Sequence, residues 1–156
     1  MRFMFLIGDS FMIENHVGYM SSKDTTFVYC DGSSRGNPGP AAIGVSFQDN
    51  DGYEFLSLSE KIGNATNNIA EWNALFRGME EAIKQSIKKI KFRLDSELVV
   101  KQMKGEYKVK NKDLLVFKNK CEELKNSFDN FEIQYIPREQ NARADQLANL
   151  AQDNKG

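Results

Sequence analysis

The chain has 156 residues, 40% hydrophobic and 28% charged, which is ordinary for one folded domain and argues against a disordered tail, a collagen-like fibre or a disulfide scaffold. Its 21 Lys and Arg against 22 Asp and Glu leave a net charge of −1, so any nucleic-acid binding must come from a local patch, not a whole-chain basic field. No apolar run approaches the ~20 residues a membrane helix needs, so no membrane association is expected, and Cys30 and Cys121 fall in apolar patterns that suit a reduced, cytoplasmic protein.

Residues 1–25 read differently from the remainder of the chain. The apolar stretch at 3–7 is interrupted by Asp9 and Glu14, and it lacks the longer apolar centre and small-residue cleavage site of a signal peptide. We take this segment as an N-terminal extension of unknown role, an appended strand or a mobile segment. His16, the single histidine, lies in it, far from any ligand cluster, and reads as structural or solvated. The core domain spans 26–152, with a short tail at 153–156.

β-Branched and aromatic residues predict a first strand over 26–30. Turn formers then crowd residues 32–40: Gly32, Ser33, Ser34, Gly36, Asn37, Pro38, Gly39 and Pro40. A second strand over 42–48, the tight turn Asp49-Asn50-Asp51-Gly52 and a third strand over 53–59 make a hairpin. From Asn68 the period changes. Ile69, Trp72, Leu75, Phe76, Met79, Ala82 and Ile83 recur at helical spacing. A strand over 87–94 comes next, then a short helix over 98–103, closed by Gly105. Leu114, Phe117, Cys121, Leu124 and Phe128 step by three and four along a long amphipathic helix. A strand over 131–136 ends at Pro137, and Ala144, Leu147, Ala148 and Ala151 mark a final helix. The order βββαβααβα predicts an α/β fold: a five-stranded mixed sheet with three antiparallel strands, then two parallel to the first through right-handed crossovers, and helices on both faces.

Four acids stand where a sheet protein has no structural need of them. Asp31 and Asp95 cap the first and fourth strands, and sheets with parallel strands place sites where strand carboxyl ends open into a crevice. Glu71 lies at the border of its helix's apolar stripe, one turn before Leu75, and so points toward the sheet. Asp145 flanks the alanine stripe in the first turn of the last helix. Singly, each has an ordinary reading: a turn former, a surface acid, an acid favoured by a helix dipole. Together, unpaired acids near a core repel one another, and a hard divalent cation with oxygen ligands relieves that cost. Mg²⁺ suits carboxylates combined with substrate phosphate.

With these acids placed, the chain resembles type 1 ribonuclease H. The resemblance runs from Thr26 to about Ala151 and rests on five stretches in order: residues 29–40 (YCDGSSRGNPGP), 66–71 (TNNIAE), 94–96 (LDS), 108–111 (KVKN) and 141–145 (NARAD). Residues 105–110 succeed the short helix directly, as in the bacterial and archaeal subgroup that lacks an extra basic protrusion. The resemblance implies a ribonuclease H-like fold and an endonuclease that hydrolyses the RNA strand of RNA/DNA hybrids, leaving 5′-phosphate and 3′-hydroxyl ends. It implies two Mg²⁺ ions per site, with Mn²⁺ as a possible substitute. Asp31 would bridge the ions, Asp145 would help hold the one that activates water, and Glu71 and Asp95 the one facing the leaving oxygen. Two ions roughly 3.5–4 Å apart can clamp an in-line displacement.

On the substrate side, a 2′-hydroxyl separates RNA from DNA, and short polar groups suit a wide minor groove. Gly32, Ser33, Ser34 and Asn37, beside Asp31, are candidate contacts, although the same residues could simply make a turn. Thr66, Asn67 and Asn68 precede a helix and could be its N-cap, a phosphate contact or both. Asn141 belongs with these candidates by resemblance. Lys101, Lys104, Lys108, Lys110 and Lys112 against Glu106 give a local charge of +4 over residues 101–112, with Tyr107 interleaved. This patch reads as an electrostatic rail for the hybrid backbone, with Lys108 and Lys110 foremost, or as a solvated face.

Two departures stand out. Many family members carry a loop histidine before the last acid; here the loop reads IPREQN over 136–141, and Arg138 is its natural stand-in. An arginine stabilises phosphate charge but is a poor proton shuttle, and Arg138 could instead pair with Glu139. Glu97 stands where several relatives have Gln. Alternatives to the hybrid nuclease are double-stranded RNA as substrate on the same site, or a non-catalytic hybrid-binding module. A monomer is expected.

Overall fold

The computed structural model describes residues 24–154. The expectations for residues 1–23, His16 among them, and for the last two residues lie outside the described residues. Five strands form one sheet in the order β3-β2-β1-β4-β5. They are β1 (Thr26–Ser34), β2 (Gly39–Gln48), β3 (Glu54–Ala65), β4 (Lys89–Leu94) and β5 (Asn130–Tyr135). Helices α1 (Asn67–Lys84), α2 (Glu97–Met103), α3 (Lys112–Lys125) and α4 (Ala142–Asp153) complete the order, with a 3₁₀ turn at Arg138–Gln140 before α4. β1 pairs antiparallel with β2 and β2 with β3; β1–β4 and β4–β5 are parallel. This is the predicted architecture.

Alternation along β1 sorts the sheet into two faces. Val28 and Cys30 are fully buried on the α1 side, in one core with Ile43, Val45, Phe47, Trp72, Leu75, Met79, Ile90, Phe92 and Leu94. Here α1 lays its stripe, and the Trp72 indole N–H, which needs a partner once buried, donates to Gln102 Oε1 of α2 at 3.1 Å. The opposite face of β1, β2 and β3 carries α4, whose buried residues are Ala144, Leu147, Ala148 and Ala151. Small side chains let this helix sit low. A Cβ on Gly44 would lie 2.1 Å from the Ala144 carbonyl oxygen, so α4 rests on bare backbone there.

Several boundaries move from expectation. Asp31 does not cap β1. The strand runs on to Ser34, through residues whose Gly and Ser content argued for a turn, because Asp31 to Ser34 pair with Gly44 to Ala41 of β2. What ends at Cys30 is the parallel ladder with β4, whose last rung is Cys30 with Leu94. Asp31 and Asp95 are therefore each one residue beyond that rung. The turn formers are left with residues 35–38. β3 continues to Ala65, well past residue 59, with a ladder irregularity at Ala41/Ala42 opposite Gly63 (φ 84°). α3 ends at Lys125, so Phe128, expected on the helix, is buried from the connection to β5 instead.

Candidate active site

The end of the parallel ladder brings the acids together. Asp31 is 7% exposed, while Glu71, Asp95 and Asp145 are half-buried. One carboxylate oxygen each from Asp31, Glu71 and Asp95 lie within 4.8 Å of one another. Asp145, from the first turn of α4, stands outside that group but near enough to act on the Asp31 carboxyl. Sheet and helices each contribute. Thr66 caps α1, its hydroxyl accepting from Ile69 N–H at 3.2 Å, which starts the helix one turn before Glu71. α1 then passes so close to β1 that a Cβ on Gly32 would lie 2.0 Å from the Ala70 carbonyl oxygen. The Gly32 N–H donates to Glu71 Oε1 at 3.0 Å and aims that carboxylate. Ser96 caps α2 in the same way, accepting from Val99 N–H, directly after Asp95.

Crowded acids in a partly dry site hold their protons. Burial first, then the charges of Asp95 and Asp145, push the Asp31 carboxyl from 3.8 up to about 8; Arg138 opposes this. Glu71 is raised for the same kind of reason: burial, then Asp31, relieved in part by the Gly32 N–H and Arg138. Arg138 is exposed on the 3₁₀ turn, where its charge reaches both acids, and it makes no ion pair with Glu139 among the described residues. No Lys or Arg hydrogen-bonds these four carboxylates among the described residues. An all-oxygen donor set short of positive charge fits a hard divalent cation.

The candidate substrate residues divide. Asn37, Asn67 and Ser34 form one network: the Ser34 N–H donates to Asn67 Oδ1 at 2.9 Å, and the Asn67 N–H donates to Asn37 Oδ1 at 3.0 Å. The Ser34 hydroxyl also donates to the Gly36 carbonyl. This ties the β1–β2 hairpin tip to the start of α1, leaving Asn37, Asn67 and Asn68 exposed beside it. Gly32 is buried, and the close approach it permits is that of α1. Ser33 is half-buried, its carbonyl accepting from Gln152 at 3.4 Å. Lys108 and Lys110 are exposed on either side of buried Val109, between α2 and α3. Lys101 is less free than the rest of its patch, since Glu97 pairs with it at 3.2 Å and its ammonium lies 5.0 Å from the Tyr107 ring centroid. Asn141 is 1% exposed and turned inward. Sequence reasoning missed Gly44. An isolated glycine inside a strand pattern was the available signal for a close backbone approach.

The mixed sheet, with α1 on one face and α4 on the other and acids converging past the parallel ladder, defines a ribonuclease H-like domain. Residues 29–151 match the family described as reverse transcriptase-like. The chain is 43% identical over 126 residues to ribonuclease HI of Halobacterium salinarum, covering 81% of this chain and 63% of that protein. It is 41% identical over 127 residues to a bifunctional protein of Mycobacterium tuberculosis, covering 81% of this chain and 35% of that one. The chain thus spans between about a third and just under two-thirds of the length of these relatives. The crystal structure of the Halobacterium RNase H1 superposes with a TM-score of 0.81 at 42% identity, covering 83% of this chain and 98% of that one. LC11-RNase H1, solved in complex with an RNA/DNA hybrid, superposes at 0.76 and 43% identity, covering 81% and 95%. The chain belongs to the type 1 ribonuclease H family.

Proposed function

We propose that this protein is a metal-dependent endoribonuclease that hydrolyses the RNA strand of RNA/DNA hybrids and leaves 5′-phosphate and 3′-hydroxyl ends. The observation that carries the reading is the convergence of Asp31, Glu71 and Asp95 within 4.8 Å, with Asp145 near Asp31. Asp31, Glu71, Asp95 and Asp145 would hold two Mg²⁺ ions, or Mn²⁺ in their place. Bound there, such ions would supply a nucleophilic water at neutral pH and would neutralise charge gathering on the phosphate.

The rest falls to the protein's own side chains. Gly32 N–H and the α1 backbone fix Glu71, so its carboxylate need not reorganise as charge shifts. Arg138, exposed and permanently charged, offsets the acids and stabilises a phosphate entering the site. Exposed Asn37, Asn67 and Asn68 beside the α1 N-terminus offer short polar contacts to the groove and its phosphates. Lys104, Lys108, Lys110 and Lys112 provide the sequence-independent attraction to the backbone.

The test is incubation with end-labelled hybrid, double-stranded RNA and single-stranded RNA, with Mg²⁺ and with chelator. Hybrid cutting that stops with chelator supports the reading. Cutting that survives chelator removes the two-ion account, and binding of hybrid without cutting removes the nuclease.

A further inference from the structure

We infer that Asn141 is a positioning residue that locks the Asp95 carboxylate to the end of β1, and not a contact to the nucleic acid. The inference rests on the proposed function, with the acid cluster as the reactive site. Its side-chain amide donates to the Cys30 carbonyl at 2.8 Å and to Asp95 Oδ2 at 3.1 Å. An asparagine amide has two N–H donors, so both are used. At 1% exposure, no part of the side chain is offered to a bound duplex.

The orientation of the amide is determined by its surroundings. Turning it over would set Oδ1 against two acceptors, the Cys30 carbonyl and the Asp95 carboxylate. The Oδ1 atom itself is buried and accepts no hydrogen bond among the described residues. The two donations therefore fix the orientation of the side chain.

The position explains what this achieves. Cys30 and Leu94 form the last rung of the parallel ladder, and Asp31 and Asp95 lie just beyond it. The Asn141 amide acts as a further rung there, made by a side chain. The same residue reaches the third chain segment of the site. Its backbone carbonyl accepts from Asp145 N–H at 3.1 Å, and its own N–H donates to the Arg138 carbonyl at 2.9 Å. One residue thus sets Asp95 against the strand carrying Asp31 and ties both to the 3₁₀ turn carrying Arg138 and the first turn of α4 carrying Asp145.

The test compares Asn141→Ala with the wild-type chain by hybrid cleavage kinetics and by calorimetric titration with Mg²⁺ or Mn²⁺ without nucleic acid. Folding is checked by circular dichroism. Loss of a residue that orients a metal ligand typically weakens ion affinity by about 10–100-fold. We expect ion affinity at least about tenfold weaker, kcat reduced, and KM for the hybrid unchanged. A raised KM at unchanged kcat makes Asn141 a substrate contact, and unchanged ion affinity in a folded variant makes it packing alone; either overturns the inference. Should the alanine variant not fold, Asn141→Ser, which keeps at most one donor, is judged by the same outcomes. If neither folds, the wild-type Asn141 side-chain amide resonance decides: it should shift as Mg²⁺ is added, and a resonance unmoved at saturation overturns the inference. A wild-type chain that binds ions but cuts no hybrid removes the proposed function and leaves the ion-affinity arm to judge Asn141.

Discussion

Replacing Gly32 by alanine puts a single methyl group where α1 crosses β1. The added Cβ would stand 2.0 Å from the Ala70 carbonyl oxygen, 2.2 Å from its carbon and 2.6 Å from the Glu71 nitrogen. Real Cβ atoms essentially never come within 3.0 Å of such atoms, so strand and helix must part by about 1 Å. All three neighbours are backbone, so no rotamer change relieves the contact. Overpacking of this kind costs ~1–3 kcal/mol, which for a chain of this length lowers the melting temperature by roughly 2–12 °C. The larger effect falls on the site. Glu71 rides on the displaced turn, and its 3.0 Å hydrogen bond from the Gly32 N–H lengthens. A misplacement of about 1 Å can cost a reaction on the order of 100-fold. Gly32→Ala should therefore remain folded by circular dichroism, melt a few degrees lower, and cleave hybrid on the order of 100 times more slowly at saturating Mg²⁺. Wild-type turnover in the folded variant would refute the claim that the glycine sets the position of Glu71.

The other face makes the matching prediction. A Cβ on Gly44 would lie 2.1 Å from the Ala144 carbonyl and 2.6 Å from Ala148 N, so Gly44→Ala should lift α4 with Asp145, cost ~1–3 kcal/mol in a thermal melt and weaken Mg²⁺ binding. Stability without ions should depend on pH with a definite sign. Asp31 is raised from 3.8 to about 8, so the stability it contributes is complete below its ordinary value and is lost as pH rises through about 8; Glu71 acts in the same direction. The ion-free melting temperature should fall between about pH 4 and about pH 8, and Mg²⁺ binding near neutrality should release protons, seen by calorimetry in buffers of different ionisation heat. A flat profile with no proton release would contradict the crowding of the acids. Arg138→Ala should slow turnover modestly, since an exposed charge is worth ~0.2–1 kcal/mol, up to about fivefold. Unchanged kcat would remove Arg138 from the chemistry.

The acids were legible before the fold because each sits at a boundary the sequence marks. Asp31 and Asp95 come directly after strand-like runs, and Glu71 and Asp145 flank helical stripes. Asp31 and Asp95 meet because two parallel strands end in register, which order and alternation already implied. What stayed hidden depends on partners distant in sequence. The extension of β1 through Gly32, Ser33 and Ser34 opposes local propensity and is imposed by the ladder to β2. Ser34 and Asn37 at the hairpin and Asn67 at the start of α1 read as substrate contacts, yet they also brace one another. Asn141 gave no sign that its amide turns inward, because its acceptors lie 111 and 46 residues away in sequence. Gly44 was missed because the helix that rests on its bare backbone is distant in the chain.

Crystals soaked in Mn²⁺ and measured for anomalous scattering test the account at its centre. It predicts manganese peaks bounded by the carboxylates of Asp31, Glu71 and Asp95, with Asp145 beside Asp31, weakened in Asp95→Asn. Manganese bound only elsewhere on the molecule, with these side chains holding no ion at saturating concentration, would contradict it.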